Sequence, residues 1–156
     1  MPRSGRCGGA WGTGPHGASS VHGHSGLWVS ELGAARIDCL RLSADHTSVT
    51  LPSIGMYGNQ GVGGFDSNAV DADGHVYQCV INDGKVEVFS PQGELIANIV
   101  VPQTMSEPQL LTSNLVIKPG TREGYLVVGG GNGGFVYTFP ALGLGDAQSN
   151  GGGAAG

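Results

Sequence analysis

Short apolar runs separated by clusters of glycine, serine, asparagine and aspartate set the rhythm of this chain. Leu27-Trp28-Val29-Ser30 superimposes without a gap on Val76-Tyr77-Gln78-Cys79 and on Tyr125-Leu126-Val127-Val128, at a spacing of 49 residues (76 − 27 = 49; 125 − 76 = 49). At the same offset Arg36-Ile37-Asp38-Cys39-Leu40 meets Lys85-Val86-Glu87-Val88-Phe89 and Gly134-Phe135-Val136-Tyr137-Thr138. Each unit reads as an apolar strand, a loop of small residues and an alternating strand. No long window carries clean helical spacing, so the chain reads as all-β.

The units run over about 15–54, 65–102 and 111–142. The second is the best formed. Asn68-Ala69-Val70 leads into the turn Asp71-Ala72-Asp73-Gly74, and a strand follows at 76–81. Asn82-Asp83-Gly84 is a hairpin signal, because Asn and Gly tolerate the positive φ that such turns need. In 85–89 the pattern puts Val86 and Val88 on one side and Lys85 and Glu87 on the other. Ser90-Pro91-Gln92-Gly93 turns the chain into a fourth strand at 95–101.

Several strands per unit, at a period of roughly 40–50 residues, mark β-propeller blades. Three units fall short of the ~4–8 blades that close a ring. The expected architecture is a partial propeller of about three four-stranded blades, with outer sheet faces open to self-association as a homodimer. Residues 1–14 read as an irregular leader and 143–156 as a disordered glycine-rich tail.

Composition narrows the function. Charged residues make up 12%, about half the usual ~25%. Net charge is −5, and the seven Lys and Arg residues are scattered. Nucleic acids and anionic membranes need clustered positive charge, so neither is an expected partner. No apolar run is long enough for a signal sequence or a membrane span, which gives a cytoplasmic expectation. Cys7, Cys39 and Cys79 are odd in number and irregular in spacing. That argues against a disulfide framework, and Cys39 and Cys79 read as small buried hydrophobes.

Asp66-Ser67-Asn68-Ala69-Val70-Asp71-Ala72-Asp73-Gly74-His75-Val76-Tyr77, followed by Gly84-Lys85-Val86-Glu87-Val88-Phe89-Ser90-Pro91-Gln92-Gly93, resembles the family of senescence marker protein, gluconolactonase and the luciferin-regenerating enzyme. Leu111-Thr112-Ser113-Asn114-Leu115 and the strand at Tyr125 resemble that family's next blade. The resemblance covers about residues 15–141 and matches the C-terminal half of such a protein. It implies a six-bladed propeller with a divalent cation in its channel, held by a Glu, two Asn and an Asp. It also implies hydrolysis of a sugar lactone or related cyclic ester.

By position Asp66 matches the Asp ligand and is the candidate catalytic base. His16, in Gly14-Pro15-His16-Gly17, stands where the family has a ligand Asn. Oxygen-rich ligation suits Ca²⁺ first, with Mg²⁺, Mn²⁺ or Zn²⁺ as alternatives, and imidazole is a poor ligand for Ca²⁺. The family's Glu and its other Asn have no counterpart here. Phe65 replaces the usual Pro before the Asp, and Ser67 the usual Gly after it.

Three other features carry only ordinary turn and loop chemistry. Asp71 and Asp73 flank a turn, but no Glu follows at the distance an EF-hand loop requires. Gly129–Gly134 lacks the Lys-Ser/Thr and the helix of a phosphate loop. His16, His22 and His24 read as solvent-exposed loop histidines. Two functions from different classes remain: a metal-dependent lactonase, or a non-catalytic half-propeller that serves as a binding or scaffold module.

Overall fold

The computed structural model describes residues 18–19, 26–43, 45, 47–58, 64–102, 111–130 and 133–146. They form three antiparallel sheets, and no helix occurs among them. The first sheet is β1 (Ala18–Ser19), β2 (Gly26–Glu31), β3 (Arg36–Leu42) and β4 (Val49–Tyr57), in that order. The second is β5 (Phe65–Val70), β6 (Val76–Val80), β7 (Lys85–Phe89) and β8 (Leu95–Val100). The third has three described strands, β9 (Leu111–Ile117), β10 (Glu123–Gly130) and β11 (Gly133–Pro140), with β10 in the middle. Leu27 pairs with Leu40, Val76 with Phe89 and Tyr125 with Thr138, so the central hairpin of each sheet keeps one register at the 49-residue offset. In the second sheet the hairpin closes at Val80 and Lys85, and Asn82 and Gly84 between them take φ of 65° and 58°.

The sheets stack face to face with the second in the middle. Between the first and second lie Trp28, Ile37, Cys39 and Met56 against Phe65, Val70, Val76, Val80 and Phe89. Between the second and third lie Ala69, Tyr77, Cys79, Val86 and Val88 against Leu115, Ile117, Leu126, Val128 and Phe139. Each large apolar side chain buried here contributes about 1.5–3 kcal/mol. Cover on both faces explains why every residue of β6 is buried, whereas β9 and β10 largely alternate. Cys79 is a buried free thiol, as its apolar setting predicts. Cys39 is buried too but is disulfide-bonded, contrary to the reading of both as simple hydrophobes.

Close backbone approaches between sheets are made by β1 and β2 on β5, and by β5 and β6 on β9. The strands β4, β8 and β11 come comparably close only to members of their own sheets. The first strands of the sheets therefore converge, with β5 at the centre. Beyond β11, Leu144 accepts from Ala72 N at 2.8 Å and Gly143 N reaches Asp71. A Cβ at Gly143 would stand 2.5 Å from Asp71 Oδ2, so only glycine permits this approach.

Candidate functional site

Asp66 lies near the start of β5, where the ladder is interrupted. Phe65 pairs with Val80 and Asn68 with Gln78, so β5 spends one more residue than β6 over this interval. The result is a bulge that sets Asp66 and Ser67 opposite Cys79, and bulges re-aim side chains where they occur. Phe65 is buried and packs edge-on against Phe89, with centroids 6.4 Å apart. Asp66 itself is half-buried. Burial pushes the Cys79 thiol well above its usual range, and the nearby Asp66 charge adds to that shift.

The bulge is tied down by a side chain. Gln78 Nε2 donates to the carbonyls of Asp66 (3.0 Å), Ser67 (3.2 Å) and Cys79 (2.9 Å). Its Oε1 accepts from Ser30 Oγ at 2.6 Å, and Ser30 Oγ in turn accepts from Asn68 Nδ2 at 2.7 Å. Three carbonyls on one side can only accept, which fixes which end of the amide faces them. Glu87 continues this row outward, paired with Gln78 across β6 and β7. Its side chain is fully buried, and its carboxylate oxygens make no hydrogen bond among the described residues. Lys85 Nζ stands 3.2 Å from Oε1 as its ion-pair partner. The sequence pattern did not single out Gln78, although a glutamine inside Val76-Tyr77-Gln78-Cys79-Val80 was the available signal.

Asp71, Asp73 and His75 form a second group, with ligand-type atoms within 4.8 Å of one another. The carboxylate oxygens of Asp71, its buried member, are already engaged. Asp71 Oδ1 accepts from the amides of Asp73 and His75, both at 3.0 Å. Oδ2 accepts from His75 Nδ1 (2.9 Å), Tyr77 Oη (2.8 Å) and Gly143 N (2.9 Å). Five donors on one buried carboxylate replace the water it lost, and a cation would have to displace them. The cluster does not fit a metal centre. It is the knot that fastens the β5–β6 turn to the segment after β11, an elaboration of the turn role expected for Asp71 and Asp73.

Tyr77 completes that knot, its hydroxyl accepting from Leu142 N at 2.7 Å. Burial raises the Tyr77 phenol above its ordinary value of 10.0, and the Asp71 charge raises it further. The folded state therefore holds this proton more tightly than the unfolded chain. Its contribution is complete below pH 10 and is lost as pH rises above that value. The Cys79 thiol acts in the same sense from its ordinary value of 9.0. Melting temperature should thus hold steady up to about pH 9 and fall above it. Tyr77→Phe should cost about 1–3 kcal/mol at neutral pH and flatten the fall above pH 10. Thermal melts between neutral and strongly alkaline pH check both; an identical alkaline slope in the variant would contradict the assignment.

Of the sequence-derived site residues, the structure thus presents Asp66 on a braced bulge, and His16 lies outside the described residues. A shallow cleft lined by Thr121, Arg122, Glu123, Thr138, Phe139 and Pro140 belongs wholly to the third sheet and includes none of the Asp66 group. No described helix is long and apolar enough to cross a membrane.

Comparison with known proteins adds an independent line. Lactonase drp35 of Staphylococcus saprophyticus is 30% identical over 125 residues, covering 76% of this chain and 38% of the relative. Lactonase drp35 of Staphylococcus aureus is 30% identical over 100 residues, covering 62% and 30%. Among solved structures, a luciferin-regenerating enzyme superimposes with a TM-score of 0.64 at 17% identity, over 80% of this chain and 44% of that one. The calcium-binding protein regucalcin from Agrobacterium tumefaciens does so with a TM-score of 0.54 at 20% identity, over 67% and 34%. These structural matches show a shared fold, and the chain spans less than half the length of each of these relatives. The family model described as the SMP-30/gluconolactonase/LRE-like region matches residues 22–114, which include Asp66, its bulge and the Gln78 brace. The chain belongs to the SMP-30/gluconolactonase/LRE-like family.

Proposed function

We propose that the three sheets are consecutive blades of a lactonase-type β-propeller, and that Asp66 is the cation ligand and proton acceptor for hydrolysis of a sugar lactone or related cyclic ester. One observation carries this reading. Asp66 sits on a bulge of β5, the strand on which the first and third sheets converge, within the segment that matches the family. Converging first strands would line the channel of a propeller.

The donor chemistry of Asp66 fits a divalent cation. It offers carboxylate oxygen, suited to Ca²⁺ or Mg²⁺, and also acceptable to Mn²⁺ or Zn²⁺. His16 is the proposed second ligand. When bound, the cation would supply polarisation of the lactone carbonyl. The residues of the chain do the rest. Asp66 orients a water molecule and accepts its proton as the water oxygen adds to the carbonyl carbon. The ring C–O bond then breaks, and the proton passes from Asp66 to the departing alkoxide, leaving the open hydroxy acid. Assay of lactone opening by the full chain with added Ca²⁺, Mn²⁺ or Zn²⁺ tests this; equal rates for wild type and Asp66→Ala would reject it.

A second reading rests on the outer face of the third sheet. Val116, Val127 and Val136 are 48%, 44% and 67% exposed there, and the cross-strand neighbours Asn114, Tyr125 and Thr138 carry no charge. On the first sheet the face turned from the second carries Leu27, Val29 and Leu40, with Arg36 and Asp38 neutralising each other at 2.8 Å. The third sheet of one copy laid on the first sheet of another would continue the stacking seen within the chain, so the proposed occupant is a second copy. Light scattering should then give the mass of a dimer that Val127→Glu returns to monomer; a wild-type monomer at micromolar concentration would contradict it.

A further inference from the structure

The geometry points to Gln78 as the positioning residue that holds the Asp66 bulge, a role that rests on the Asp66 reading above for its chemical consequence. A bulge removes ladder partners from the backbone it displaces, and a buried carbonyl without a donor is costly. Here the carbonyls of Asp66 and Ser67 lie at the interruption between the Phe65–Val80 and Asn68–Gln78 pairs. The Gln78 amide reaches both, and that of Cys79 as well, from a fully buried position. A side chain thus supplies donors where the regular ladder is broken.

Gln78 is itself held from the neighbouring sheet. Ser30 of β2 donates to Oε1 and accepts from Asn68, so polarity runs one way along the series Asn68, Ser30, Gln78 and the bulge carbonyls. A hydroxyl donor at one end and three carbonyl acceptors at the other leave the amide a single satisfied orientation. Hydrophobic burial would be served as well by Met or Leu in this interface. A glutamine with both ends engaged instead fixes a backbone path, and with it the direction in which Asp66 points. Side chains that must be held within a fraction of an ångström are generally braced in this manner.

The test compares Gln78→Met, which keeps length and burial but donates nothing, with Asp66→Ala and Val86→Ala in the full chain. Val86 faces the opposite interface, so its truncation matches a loss of stability without touching the bulge. Two readouts are needed: the NMR signals of residues 66–68 and the affinity for Mn²⁺. Gln78→Met should displace those signals and weaken Mn²⁺ binding at least tenfold, while Val86→Ala lowers melting temperature and changes neither. Ser30→Ala, which leaves the amide in place but removes its orienting hydroxyl, should act in the same direction more weakly, and serves if Gln78→Met does not fold.

Displaced signals with Mn²⁺ affinity indifferent to Asp66→Ala would uphold the brace and reject the ligand role of Asp66. Affinity lost in Asp66→Ala but unchanged in Gln78→Met would overturn the brace. Unmoved signals at residues 66–68 would overturn it as well.

Discussion

Replacing Asp71 with alanine should unfold the chain or come close to it, at a cost on the order of 3–5 kcal/mol. The substitution removes one acceptor and strands five donors, among them the Tyr77 hydroxyl and the Gly143 amide. Buried donors left without partners cost about 1–3 kcal/mol each, against a typical total stability of about 5–15 kcal/mol. Asp71→Asn should fall between the two, since one oxygen survives and the other becomes a donor facing donors. Urea denaturation of the three proteins measures the effect. The same experiment with a chelator, run in the Asp66→Ala background, separates the knot from a metal centre: an ion held by Asp71 would make the stability of that variant depend on chelation, and the account predicts no change.

The second large effect is on chemistry instead of stability. Asp66→Ala should lower cation-dependent lactone opening by about 10²–10⁴-fold, the range expected when a positioned proton acceptor is removed. Melting should move far less than in Asp71→Ala, because Asp66 is half-buried whereas Asp71 is fully buried. Asp66→Asn keeps the shape and loses the base, so it should be nearly as impaired. On this account the two aspartates, five residues apart, should separate cleanly in these assays, one acting on stability and the other on lactone opening.

Much of this was legible in the residues. The central hairpin of each sheet sits where the 49-residue spacing puts it, because turn residues and apolar runs are local signals. The family motif singles out Asp66 as the candidate, but not the bulge of β5 on which it sits. What local pattern lacks is the identity of the covering surface. The alternation of Lys85, Val86, Glu87 and Val88 holds, but the side that carries Glu87 is roofed by the first sheet. There Phe65 and Glu87 pack so closely on Gly58 that a Cβ at Gly58 would lie 2.0 Å from the Phe65 ring and 2.8 Å from Glu87 Oε2. The partners of Asp71 and Gln78 were hidden for the same reason: Gly143 is 72 residues from Asp71, and Ser30 is 48 residues from Gln78.

The most direct test of the central claim is where a cation binds. Titrating Mn²⁺ into the isotopically labelled full chain broadens the NMR signals of nuclei close to the ion. The account predicts selective loss of the Asp66, Ser67 and Cys79 signals, abolished by Asp66→Ala. Broadening centred on Asp73 and His75 with Asp66 untouched, or none specific to any site up to millimolar Mn²⁺, would contradict it.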